Sequence, residues 1–169
     1  SAFMHIGAHA MAGTQNAFLD HTQSSITWHD YMVNGRRSGE LAQAAIFAGA
    51  YGIPYIVVSG DAAACIEARD FLGDIRTVSV KSGIGRNRAR CIPPDLAAAK
   101  IKETATASIS DIGGNRPYKP IMPLEIKIVY NRSDYCEAAM EKRSDVERLD
   151  ARTLRRVAHK ITMYSDVMI

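Results

Sequence analysis

The sequence predicts an α/β fold of layered strands and helices, and three observations carry that prediction. Short apolar runs of strand length, such as Tyr55 to Val58, alternate with segments of helical periodicity. Turn signals at Asn34-Gly35 and at Gly52-Ile53-Pro54 separate them. Finally, 169 residues that are 47% hydrophobic and 23% charged suffice for one domain with its own core, residues 1–169, and are too few for two.

Taken in order, Ala2 to Ile6 is a short apolar run closed by Gly7, and Ile26 to Val33 alternates apolar with polar like a strand. Asn34-Gly35 predicts a tight turn after it. Glu40 to Tyr51 is alanine-rich, with Leu41, Ala44, Ala45 and Ala48 at helical spacing, and Gly52-Ile53-Pro54 ends that helix. Tyr55 to Ser59 reads as a buried strand. Asp61 stands where a helix N-cap belongs, opening a helix to about Phe71. Thr77 to Val80 is a further short strand, and Pro93-Pro94-Asp95 starts a helix to about Ser108. Gly113 to Pro120 is a polar loop and Leu124 to Tyr130 an alternating strand. Asp134 to Lys142 is predicted helical, Val146 to Leu149 a short strand, and Asp150 to Met168 a closing helix-like segment.

Composition narrows the function classes. No stretch approaches the roughly 18 apolar residues that span a bilayer, and no basic region with a long apolar core opens the chain, so neither a membrane protein nor a secretory leader is expected. A net charge of +3, with its basic residues scattered, is a weak footprint for nucleic acid. Cys65, Cys91 and Cys136 are odd in number and form no CxxC pair, which predicts reduced thiols in the cytoplasm.

Three residues are candidates for chemistry. His9 follows the first strand among small residues, Ile6-Gly7-Ala8-His9-Ala10, and strand ends of α/β folds hold ligand sites; a packed histidine is the plainer alternative. Glu40, in Ser38-Gly39-Glu40-Leu41, offers a hard oxygen donor that suits zinc beside histidine, or merely an acidic group at a helix N-terminus. His21, in Leu19-Asp20-His21-Thr22, could hold a proton or stabilise charge beside a metal. His5 and His29, inside strands, are expected to face neighbouring elements, and His159 to lie on the closing helix away from any site. Arg86, Arg88 and Arg90 alternate and would share a face, either to hold a carboxylate or a subunit neighbour or as a solvated strip.

Together these segments resemble the metallopeptidase family of the dipeptide-operon D-aminopeptidase. The matching pieces are Gly7-Ala8-His9-Ala10, Asp20-His21-Thr22, Asn34-Gly35, Gly39-Glu40-Leu41, Gly52-Ile53-Pro54 and Val57-Val58-Ser59-Gly60-Asp61. Val80-Lys81, Arg86 through Cys91 before Pro93, and Val146-Glu147-Arg148-Leu149-Asp150-Ala151 continue the match along nearly the whole chain. The resemblance implies a two-zinc aminopeptidase on an α/β core, assembled as a ring-like homo-oligomer. It implies His9 and Glu40 as zinc ligands and His21 as the catalytic histidine that assists metal-promoted attack of water on an amide carbonyl. The implied substrate is a small peptide with a free amino terminus, extending to residues of D-configuration.

The family pattern also begins with a strand carrying an Asp-x-Glu pair, followed by a further histidine, and neither precedes His9 here. Two zinc ions need about four ligands each, more than His9 and Glu40 supply. The expectation is that an N-terminal fragment of the same precursor, cleaved before Ser1, completes the site. Two rival expectations remain. Ser1 could act as an N-terminal nucleophile with its own amine as base. Alternatively, the chain is a scaffold or binding subunit that kept the fold without catalysis.

Overall fold

A computed structural model describes residues 1–169. In chain order the elements are β1 (Phe3–Ala8), β2 (Trp28–Val33), β3 (Arg36–Ser38), α1 (Glu40–Ala50), β4 (Tyr55–Asp61), α2 (Ala62–Leu72), β5 (Arg76–Gly85) and β6 (Arg88–Cys91). They continue with α3 (Pro94–Ser110), β7 (Leu124–Tyr130), α4 (Ser133–Met140), β8 (Glu147–Arg148) and β9 (Thr153–Ala158), with 3-10 turns at Ile112–Gly114 and Tyr164–Val167. The α/β class read from the sequence is the observed one.

The strands form two sheets. The first has the order β1-β4-β5-β6, with β1, β4 and β5 parallel and β6 antiparallel. Every residue of β4 is buried, as a β-branched run covered on both faces requires. Ile56, Val57 and Val58 each contribute about 1.5–3 kcal/mol by leaving water. The register of β1 against β4 slips between Ile6 and Ala8, where Gly7 takes a positive φ of 85°. Beyond that bulge Ala8 lies against Gly60, and a Cβ on Gly60 would stand 2.0 Å from the Ala8 carbonyl oxygen, so only glycine lets the strand ends close.

The second sheet is antiparallel throughout, in the order β3-β2-β7-β9-β8. Along β7, Leu124, Ile126, Ile128 and Tyr130 turn inward, while Glu125 and Lys127 face the solvent side and pair there with each other. Asn34 and Gly35, with φ of 49° and 77°, make the tight β2–β3 turn that the sequence predicts. Helix α1 joins the two sheets: Leu41 and Ala45 belong to the core under the parallel sheet, and Ile46 to the core under the antiparallel one.

The closing segment departs from expectation. Asp150 to Met168 is not helical: Thr153–Ala158 forms β9, hydrogen-bonded along β7 from Leu124↔Ala158 to Val129↔Thr153. Asp150 accepts from the Arg152 N–H and the Thr153 hydroxyl, a turn that sends the chain back as a strand. Pairing with a buried neighbour decides such a segment, and local periodicity does not. His159 consequently follows a strand and is exposed. The arginine-bearing stretch also became a hairpin: β5 runs to Gly85, Arg86 and Asn87 turn, and β6 returns. No helix is long and apolar enough to cross a membrane.

Candidate metal centre

His9 lies immediately past β1, at the carboxyl end of the parallel strands, and Glu40 is the first residue of α1. Between them residues 10–27 form an irregular loop that carries His21. The three side chains converge. The His9 and His21 rings stack with centroids 3.8 Å apart. Nε2 of His9 lies 3.6 Å from Glu40 Oε1, and Nε2 of His21 lies 3.8 Å from the same oxygen. One donor atom from each falls within 4.8 Å of the others.

The tautomers follow from the hydrogen bonds. His9 Nδ1 meets the Ala10 carbonyl at 3.1 Å and His21 Nδ1 meets the Leu19 carbonyl at 2.7 Å. A carbonyl only accepts, so each Nδ1 carries the proton and each Nε2 keeps its lone pair toward Glu40. Holding the far nitrogen this way orients an imidazole for a metal. Separations of 3.6 and 3.8 Å are too long for hydrogen bonds, yet lie near the roughly 3.4 Å edge of a tetrahedron drawn with zinc bonds of about 2.1 Å. The His9 nitrogen and the Glu40 carboxylate oxygen are donors that suit zinc, and His21 Nε2 reaches the same point, so the residues present fit that ion.

Buried carboxylates hold the loop in place. Asp61 caps α2 through Oδ1 on the Ala64 N–H, and its Oδ2 accepts from Phe18 N–H at 2.7 Å. Glu67 accepts from Met11 N–H at 2.7 Å; burial pushes its carboxyl up to about 7, opposed by that hydrogen bond, with the nearby Asp61 and Glu40 carboxylates adding to the rise. Asp20 accepts from Gly13 N–H at 2.6 Å and pairs with Arg86, whose backbone carbonyl takes the Leu19 N–H. Gln23 N–H donates to Glu40 Oε1 at 2.7 Å and so aims that carboxylate. Leu19 and Gln23, on either side of His21, hold positive φ of 55° and 59°, strain that these anchors sustain. Gly39 must be glycine, because a Cβ there would stand 2.5 Å from Glu67 Oε1 and 2.8 Å from the Met11 side chain.

Sequence reasoning placed His9, His21 and Glu40 as candidates and read Asp61 only as a cap; it did not find Gln23, Glu67 or Asp20. Nothing in spacing announces that one carboxylate serves a helix and a distant loop at once. Of the three arginines, Arg86 does hold a carboxylate, while Arg88 and Arg90 are exposed on β6. His5 faces β4, with Nδ1 at 2.7 Å from the Tyr55 hydroxyl, as expected. His29 does not face a neighbouring element: its side chain is 58% exposed and lies 3.8 Å from Asp30, because the register of β2 against β7 slips between Trp28 and Asp30 and leaves His29 unpaired at the bulge. Ser1 is exposed before β1, and the extended strand spaces it on the order of 20 Å from His9.

A family model described as D-aminopeptidase matches residues 1–168. The D-aminopeptidase of Bacillus subtilis (strain 168) is 30% identical over 115 residues, which are 68% of this chain and 41% of that protein. The solved structure of the Zn-dependent D-aminopeptidase DppA from Bacillus subtilis, described as a self-compartmentalizing protease, superposes with a TM-score of 0.89 at 23% identity. That match covers 98% of this chain and 59% of the solved one, so the fold is shared and the chain spans less than two thirds of either relative.

Proposed function

Because this chain belongs to the D-aminopeptidase family, we propose that it is part of a zinc-dependent hydrolase that cleaves an amide or peptide bond of a small substrate. The observation that carries this reading is the convergence of His9, His21 and Glu40 on one point at the end of the parallel strands. His9 and Glu40 are the metal ligands and His21 the catalytic group, with two zinc ions completed by donors outside these 169 residues. When bound, zinc polarises the scissile carbonyl and makes water nucleophilic near neutral pH. His21 Nε2, freed by the Nδ1 bond to Leu19, takes the proton from the attacking water and passes it to the departing amine. The Gln23 N–H keeps Glu40 turned toward both histidines.

Similarity to a D-aminopeptidase and to a self-compartmentalizing D-aminopeptidase supports an aminopeptidase that accepts D-residues and assembles as a homo-oligomer. The free thiols Cys65, Cys91 and Cys136 support a cytoplasmic setting.

Metal analysis and peptide-amide hydrolysis of the protein as isolated test the reading together. His9→Ala and Glu40→Ala should release zinc. His21→Ala should retain it while kcat falls by about 100- to 10,000-fold. Zinc loss in His21→Ala would make His21 a ligand instead. Absence of zinc from the wild-type protein would end the proposal.

A further inference from the structure

A cavity of about 540 Å³ opens between β1 and α1, within the size range of small-molecule sites, and its lining is almost wholly apolar. Phe3 and His5 form the β1 wall. Ala44, Phe47 and Ala48 form the other, one stripe of α1 at helical spacing that begins with Glu40 and is extended by Tyr51 just past the helix end. Tyr164 closes the side, edge-on to Phe47 at 5.5 Å between ring centroids. Glu40 therefore belongs both to the cavity and to the His9–His21–Glu40 cluster.

We infer that this cavity receives an apolar side chain of the substrate residue next to the scissile amide. The inference rests on the hydrolase reading above and adds its specificity. Ala44 lies one helical turn beyond Glu40, about 5–6 Å between Cβ atoms, so a side chain of two to four carbons projecting from a carbonyl held at the cluster reaches it. Glu40 is the only carboxylate in the lining and is committed to the two histidines; no lysine or arginine lines the cavity. His5 presents the face of its ring, with Nδ1 held at 2.7 Å by the Tyr55 hydroxyl. An acidic or basic substrate side chain would lose water there without gaining a partner. Alanine at position 44, between larger residues, leaves the space the side chain fills.

The test compares dipeptide amides carrying glycine, alanine, leucine, phenylalanine, aspartate or lysine at the cleaved position. Wild type and Ala44→Leu are assayed in the assembled protein, with zinc content measured for both. Leucine and phenylalanine should exceed glycine in kcat/KM by at least roughly 10-fold, and aspartate by more. Ala44→Leu should lower leucine and phenylalanine turnover more than alanine turnover, so that the preference for large side chains disappears, and leave zinc content unchanged. A second readout is independent of turnover: the Ala44 methyl NMR signal should shift on titration with leucinamide and stay in place with glycinamide.

Equal rates across the panel, or an Ala44→Leu variant that slows every substrate alike, would overturn the specificity while leaving the hydrolase intact. No zinc and no hydrolysis in the wild type would remove the hydrolase reading and this inference with it.

Discussion

Glu67 shows how a single buried side chain ties pH to the shape of the centre. It is 8% exposed, and the Met11 N–H it holds belongs to the turn just after His9. Burial lifts its carboxyl from 4.5 to about 7, so the folded protein binds this proton more tightly than the unfolded chain does. The resulting stabilisation is complete below a pH of about 4.5 and is lost as pH rises through about 7, a difference of roughly 3 kcal/mol at most. Glu67→Gln keeps an oxygen for Met11 and has no proton to lose. Urea unfolding between about pH 4 and 8 should show that the variant lacks the wild-type decline on that interval and is the more stable protein at pH 8. An unchanged slope would mean that other groups carry the pH dependence.

At the scale of elements, the centre depends on how closely the ends of β1 and β4 approach. The bulge at Gly7 redirects the chain so that Ala8 meets Gly60, and His9 follows directly. Gly60→Ala cannot be absorbed by a flexible side chain, because its Cβ would meet backbone atoms of Ala8 at 2.0–3.1 Å. Thermal denaturation should show a loss of about 1–3 kcal/mol or more. Zinc affinity should fall with it, since β1 must retreat and take His9 along. Gly113→Ala, where an added Cβ meets open space, should do neither and serves as the control. If Gly60→Ala loses stability but binds zinc normally, His9 is positioned by its own loop and not by the strand.

Across the whole molecule, α1 is the shared wall of two cores, which makes the two sheets one cooperative unit. Ile46, fully buried against the antiparallel sheet, shares a helix with Leu41 and Ala45 under the parallel one, and Phe71 and Tyr118 touch both cores. Ile46→Ala should cost about 2–5 kcal/mol. Trp28 fluorescence, reporting β2, and amide exchange in β4 should lose their native signals at one denaturant concentration. Persistence of β4 protection after the Trp28 transition would show that the sheets are separable.

The amino-acid sequence by itself determined the α/β class, the β7 strand, the alanine-rich helix and its stop, the Asp61 cap and the Asn34-Gly35 turn. Each depends on near neighbours in the chain, where periodicity, capping and left-handed φ act directly. It also made His9, His21 and Glu40 candidates, through residue type and family resemblance. What only the tertiary structure decided is whatever depends on a distant partner. β9 replaced a helix because β7 was available to pair with it. Loop residues Phe18 and Met11 are held by Asp61 and Glu67, more than forty positions away. The meeting of three donor atoms within 4.8 Å arises because β1, the loop and α1 end at the same edge of the sheet, a coincidence in space that spacing along the chain does not encode.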